Sequence, residues 1–224
     1  MRKGLLIILE GVDSSGKKTQ VELLRKKLNK NGFDVETISF PSYGTPFGNI
    51  VASYLRGEFG SLKKLPSEIA AMLFSLDRYQ FKDKLFKKLQ KGKIIISDRY
   101  TQSNMGFHGA RFYGKERKAF IDWIQQVESR LPQPDIVIFL DMPIEAAQIL
   151  INNRRKKNYL NGKKRDIHEI DADFQKEVRR TYLKLTKRKE WIMIKCAHRI
   201  KGKWKIKNQE DIHEEIYRIV EKFL

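Results

Sequence analysis

The chain has 224 residues, 41% hydrophobic and 11% aromatic, with 46 Lys and Arg against 27 Asp and Glu for a formal charge of +19. That composition excludes a disordered chain. No apolar run approaches the ~20 residues that cross a bilayer, and the lone cysteine, Cys196, excludes an internal disulfide and a Cys-based metal cluster.

What remains is one α/β domain over residues 1–224 with a real core, expected in a reducing cytoplasm and off the membrane. The charge suits anionic ligands. Its lysines are spread in pairs such as Lys26-Lys27, Lys63-Lys64, Lys87-Lys88 and Lys163-Lys164, which reads as solvated surface, so no dedicated nucleic-acid partner is expected.

Leu5 to Leu9 is a short apolar run that ends at Glu10. It reads as a buried strand and not as a signal peptide, despite Arg2 and Lys3. Gly11-Val12-Asp13-Ser14-Ser15-Gly16-Lys17 follows and fits the first seven positions of GxxxxGK[ST]. A helical pattern comes next, with Val21, Leu24 and Leu28 on one face. Strand, loop and helix in that order make a phosphate loop. Glycines let several amide hydrogens converge on one anion, the positive helix end faces it, and Lys17 reaches the outer phosphates. Gly11, Ser14, Ser15, Gly16, Lys17, Lys18 and Thr19 are the candidate ATP-binding residues. Lys18 stands where a magnesium-binding hydroxyl is usual, and Thr19 comes one residue late.

Asn31-Gly32 stops the first helix. Val35 to Phe40 reads as a second strand ended by Pro41, with a loop to about Gly48 and a helix near 48–56. Pro66-Ser67-Glu68 starts a helix through Leu76 and Arg78, and Phe81 to Leu89 is a further amphipathic helix capped by Gly92. Ile94 to Ser97 is a third strand, buried on both faces. A loop follows, then a helix near 115–129 closed by Pro132 and Pro134. Ile136 to Leu140 is the fourth strand, and Pro143-Ile144-Glu145 opens another helix. Residues 154–167 are charged and read as a mobile loop. A helix near 170–187, a strand over Trp191 to Lys195, a basic hairpin-like stretch at 199–207 and a helix over Asp211 to Leu224 complete the chain. Alternating strands and helices predict a parallel sheet covered on both faces, with ligands at the carboxyl ends of its strands.

Two clusters sharpen the chemistry. Asp98-Arg99 ends the third strand, pairing a magnesium- or water-organising carboxylate with a permanently charged fork for phosphate oxygens; a structural ion pair at the sheet edge is the plainer alternative. Phe74 and Arg78 share a helix face, suited either to a base and its phosphate or to a core Phe beside a surface Arg. His108, His168, His198 and His213 show no metal-ligand spacing and read as ordinary polar residues. Cys196 reads as core.

Six segments, EGVDSSGKKTQ, FPSYGTPFG, LFSLDR, SDRYTQSNMGFHGAR, LPQPDIVIFLDMP and RDIHEIDADFQKEVRRTYLKL, cover about residues 5 to 185. In these the chain resembles the thymidylate kinase family of nucleoside monophosphate kinases. The resemblance implies a P-loop kinase fold: a five-stranded parallel sheet with helices on both faces and a mobile lid, about 152–168. It implies transfer of the γ-phosphoryl group of ATP to dTMP, with magnesium as cofactor, in a homodimer. By position, Lys17 and the 11–19 backbone hold the ATP phosphates, and Asp13 meets the sugar hydroxyl or a magnesium water. Phe74 stacks on thymine, Arg78 and Asn104 read the base edge beside Ser103, and Arg99 grips the acceptor phosphate. Phe40 and Tyr43 pack around the acceptor's sugar and phosphate, Phe107 crowds the 2′ position, and Asp98 and Glu169 lie around magnesium. Asp13, Lys17, Asp98 and Arg99 form the candidate catalytic set.

Three departures from the family pattern carry consequences. Ser14 and Ser15 supply no arginine in the loop, so the lid must, with Arg154, Arg155 and Arg165 as candidates. Ser42 stands where an arginine is frequent. Lys18 predicts slow or altered magnesium dependence. The alternatives are a related kinase acting on dUMP or a deoxynucleoside, and a weakened module that binds nucleotide or nucleic acid.

Overall fold

The computed structural model describes residues 4–62, 64–152, 158–160 and 166–224. Five strands, β1 (Leu5–Glu10), β2 (Val35–Ser39), β3 (Ile94–Asp98), β4 (Ile136–Asp141) and β5 (Trp191–Lys195), form one parallel sheet in the order β2-β3-β1-β4-β5. β1 lies at its centre, with Leu9 opposite Asp98 of β3 and Ile138 of β4. β1, β3 and β4 are near-continuous apolar runs because helices cover both of their faces. β2, at the edge, alternates half-buried and exposed residues.

Ten helices are described: α1 (Lys17–Lys30), α2 (Pro46–Leu55), α3 (Ser67–Tyr79), α4 (Lys82–Gln90), α5 (Thr101–Phe107), α6 (Gly114–Val127), α7 (Ile144–Asn152), α8 (Ile167–Ile170), α9 (Ala172–Leu185) and α10 (Gln209–Val220). The apolar stripe of α1, Val21, Leu24 and Leu28, is buried as its spacing predicts. The main core runs through the sheet and includes Leu24, Ile96, Phe139, Tyr182 and Ile216, and a smaller one of Val51, Tyr54, Leu55 and Ala70 lies between α2 and α3.

The structure corrects the sequence reading in four places. The expected loop after β3 is helix α5, whose seven residues are all buried. α2 begins at Pro46, because Thr45 caps it by accepting from Gly48 N at 3.2 Å. The helix expected near 170–187 is two helices: Asp166 caps α8 in a capping box, and Asp171 starts α9 by accepting from Phe174 N. α10 starts at Gln209, where Asn208 accepts from Asp211 N, and ends at Val220. The basic stretch near 199–207 is an antiparallel hairpin of β6 (Ala197–Ile200) and β7 (Lys203–Ile206). Cys196 is fully buried, and burial pushes its thiol up to about 12.

Candidate active site

The loop from β1 into α1 is shaped by two glycines. A side chain at Gly11 would stand 2.5 Å from Ser15 Oγ and 2.9 Å from Leu140 O. Gly16 caps α1 with φ +90°, a conformation that disfavours any residue with a Cβ. Lys17 is buried and curls back over the loop, donating to Gly11 O at 3.1 Å, Val12 O at 2.8 Å and Ser15 Oγ at 3.3 Å. Burial, and then the charge of Arg99, pull its ammonium down to about 8. Lys18 and Thr19 are exposed at the start of α1, and Ser14 adopts φ +58°.

Arg99 joins this loop to the end of β3. Its Nη2 donates to Asp13 Oδ1 at 2.7 Å and its Nη1 to Gly11 O at 2.9 Å. Nη1 also approaches Ser103 Oγ at 3.4 Å, and the guanidinium lies 4.8 Å over the Phe107 ring. Burial works against its charge, but Asp13, Tyr182, Glu10 and Asp98 outweigh it and hold the guanidinium above its ordinary pKa. Arg99 has φ +67°, strain of the kind concentrated at working sites. The structural ion pair that was the plainer alternative for Arg99 is made with Asp13 and not with its neighbour Asp98.

Beneath Arg99 sits Glu10, fully buried. It accepts from Tyr100 N at 2.9 Å, Ser103 Oγ at 2.8 Å and Tyr182 OH at 2.8 Å, and lies 3.9 Å from Arg99 Nη1. Burial raises its carboxyl, while Arg99 and those donors pull the other way. Gln175 of α9 completes the cluster, donating to Asp13 Oδ2 at 3.0 Å.

A second cluster, of packed rings, forms between α2, α3, α5 and the start of α8. Phe74 is half-buried, 5.2 Å from the His108 ring. The His168 ring lies nearly parallel to both Phe74, at 6.4 Å and 16°, and Phe107, at 5.4 Å and 21°, with Nε2 3.1 Å from Tyr54 OH. His108 and His168 are therefore not scattered polar residues: their rings are 6.0 Å apart in an aromatic cluster, and burial drives His108 well below its ordinary pKa. Arg78 is no surface residue either. It is fully buried against Glu128, with Asn104 on the same carboxylate.

Phe40 is buried against Phe81 and Tyr100, and Tyr43 stacks on Tyr159. Ser42 N donates to Asp77 Oδ2 at 2.8 Å, which fixes the loop where an arginine was missed. Arg154, Arg155 and Arg165 lie outside the described residues, as does most of the expected lid.

For a divalent cation the donor set is sparse but suitable. Asp98 Oδ1 is buried with no hydrogen-bond partner, as fits a carboxylate awaiting a charged ligand. Glu169 completes the α8 capping box and shares a small cavity of about 20 Å³ with Asp13 and Gln175. No group of three metal-ligating side chains gathers among the described residues, and magnesium commonly needs only one or two carboxylates alongside substrate phosphates. A wider cleft of about 490 Å³ belongs to other surface: it is lined by Glu36 and five lysines around α4, beside the amino end of β3.

Sequence reasoning missed Glu10, Glu128, Gln175 and Tyr182. The acidic residue directly before the phosphate loop was the one available signal among them.

Comparison with known proteins identifies relatives of the whole chain. The family model described as thymidylate kinase matches residues 9–205. A probable thymidylate kinase of Thermococcus onnurineus is 34% identical, covering 97% of each chain. A thymidylate kinase of Plasmodium falciparum is 30% identical over 99% of this chain and 91% of its own. The solved thymidylate kinase of Candida albicans superposes with a TM-score of 0.74 at 25% identity, covering 98% of this chain and 92% of that one.

Proposed function

The chain belongs to the thymidylate kinase family, and from that premise we propose that it transfers the γ-phosphoryl group of ATP to dTMP, giving dTDP and ADP. The observation that carries the reading is the junction of the loops after β1 and β3, where Arg99 binds both Asp13 and Gly11 O beside the buried ammonium of Lys17. A permanent cation, Arg99, and an ammonium lowered to about 8, Lys17, thus lie together at the phosphate loop.

The acceptor is a phosphate whose second pKa is about 6, so at neutral pH it already carries its attacking charge. No general base is required. Catalysis is alignment of two anions and cancellation of their charge during transfer. Lys17 and the loop amides hold the donor phosphates, and Arg99 holds the acceptor phosphate. Asp13 fixes the Arg99 fork and faces the sugar. Phe74 carries the base, with Arg78, Ser103 and Asn104 around it, while Phe40, Tyr43 and Phe107 close the sugar side. Asp98, with Glu169 less directly, would hold magnesium, which when bound neutralises phosphate charge. A lid over about 152–168, within a single domain spanning 1–224, supplies an arginine from among Arg154, Arg155 and Arg165 and keeps water out.

We read the protein as a cytoplasmic homodimer. α3 exposes Ile69, Met72 and Leu76 on one stripe, at 50%, 37% and 36%, which favours burial against a second copy. No described helix is long and apolar enough to cross a membrane.

ADP release from ATP with magnesium tests the activity, using dTMP, dUMP, ribothymidine monophosphate and dCMP in parallel. Release fastest with dTMP and lost in Arg99→Ala is expected. Absence of acceptor-dependent release with ATP binding intact would overturn the reading.

A further inference from the structure

Glu10 is fully buried at the carboxyl end of β1, and its two oxygens are divided between two kinds of donor. Oε1 takes the Tyr100 amide at 2.9 Å. Oε2 takes Ser103 Oγ and Tyr182 OH, each at 2.8 Å. As the carboxylate, the form that Arg99 and these three donors favour, Glu10 only accepts, so each hydroxyl spends its single hydrogen on it. Ser103 Oγ is left with lone pairs toward Arg99 Nη1, 3.4 Å away. Nη1 thus faces three acceptor atoms: Ser103 Oγ, Gly11 O at 2.9 Å and Glu10 Oε2 at 3.9 Å.

Tyr182 reaches this cluster from α9, with its ring against α5: a Cβ at Gly106 would stand 2.5 Å from Tyr182 Cζ. The ring stacks on Phe139 at 5.1 Å and stands edge-to-face with Phe107 at 6.2 Å. The same Phe107 ring lies under the Arg99 guanidinium. A phenylalanine at 182 would fill that space equally well. The hydroxyl is the difference, and a buried hydroxyl is costly unless it is bonded. Its partners are Glu10 and, at 3.4 Å, Ser103.

We propose that Glu10 and Tyr182 are positioning residues that act through Arg99: the buried carboxylate aligns Ser103 and the Nη1 side of the guanidinium, so that the fork meets the acceptor phosphate in one fixed plane. The inference rests on the acceptor reading above, with Arg99 at the acceptor phosphate.

The test is equilibrium binding of dTMP and of thymidine, which lacks the phosphate, to wild type, Glu10→Gln, Tyr182→Phe, Arg99→Ala and the double variant Glu10→Gln/Arg99→Ala. Gln keeps the size, but the Tyr100 amide claims its oxygen, so its amine faces the two hydroxyls and turns their hydrogens elsewhere. In Glu10→Gln the Kd for dTMP is expected to rise about tenfold or more, with the Kd for thymidine unchanged. Tyr182→Phe should raise the Kd for dTMP severalfold, again sparing thymidine. In the Arg99→Ala background Glu10→Gln should add no further loss, because its effect passes through the missing guanidinium. A folded Glu10→Gln that binds dTMP like wild type, or that weakens dTMP and thymidine alike, would overturn the proposal, as would full additivity in the double variant. Should Glu10→Gln fail to fold, Tyr182→Phe decides alone, and an unchanged Kd for dTMP there overturns the proposal. Wild type that binds thymidine as tightly as dTMP would instead overturn the acceptor reading beneath it.

Discussion

The ring of Tyr159 stacks on that of Tyr43, with centroids 4.1 Å apart and planes 15° from parallel. Tyr43 belongs to the loop after β2, while Tyr159 is anchored by its own OH to Asp166 at 2.6 Å and by its carbonyl to Arg56 at 3.1 Å. The stack ties the loop after β2 to the segment held at Asp166. An aromatic pair contributes about 0.5–1.5 kcal/mol, so Tyr159→Ala is expected to raise the KM for dTMP by about 2–12-fold. ADP release without acceptor should rise as water reaches the donor phosphate. Unchanged KM and unchanged acceptor-free release would show that the stack plays no part in closing the site.

Lys17 sets the pH behaviour. Its ammonium is lowered from an ordinary 10.5 to about 8. Between those values the unfolded chain binds more protons than the folded one, so this group makes stability rise with pH through that window. Its burden is greatest below pH 8. Lys17→Met is therefore expected to melt higher than wild type at pH 7, with the difference shrinking by pH 10, while transfer is lost. In wild type, kcat/KM for ATP should fall as pH rises through about 8, because the free enzyme loses the charge that attracts phosphate. kcat should hold to higher pH, since bound phosphates favour the ammonium. Melting curves at several pH values and a pH–rate profile check both.

Arg99 is held by carboxylates on two sides, Asp13 at 2.7 Å and Glu10 at 3.9 Å. Arg99→Ala leaves Glu10 buried without its counter-charge, at a cost of about 3–5 kcal/mol in stability. It also removes a charge-stabilising donor, so kcat should fall roughly 100-fold or more. Arg99→Lys keeps the charge but not the two-pronged geometry. It should recover much of the stability in denaturant melts and little of the rate. Equal recovery of both would mean that charge alone matters at this position.

Much of this was legible because the signal was local. β1, the phosphate loop and the α1 stripe lie within adjacent residues, and β1, β3 and β4 are apolar runs bounded by turn signals. α5 was not, because Thr101, Gln102, Ser103 and Asn104 carry no apolar period; they are buried by α3, α6 and α9 packing around them. Glu10 with Arg99, and Arg78 with Glu128, are separated by 89 and 50 positions. His108 and His168, likewise distant in the chain, meet in one aromatic cluster. Hydrophobic patterning cannot report a buried polar contact whose partner is set by topology.

Lys18 is the remaining departure with a measurable consequence. It is exposed at the second residue of α1, next to the buried Lys17, and Thr19 beside it is exposed as well. A cation here opposes a divalent ion near the donor phosphates and supplies no oxygen to it. At an effective dielectric constant of ~20 like charges a few ångströms apart repel by a few kcal/mol, less at an exposed site screened by salt. Lys18→Ser removes the repulsion and restores a hydroxyl. The magnesium concentration giving half-maximal rate is expected to fall severalfold, more at low ionic strength than at high. Identical magnesium titrations for Lys18→Ser and wild type would remove Lys18 from the account of metal dependence.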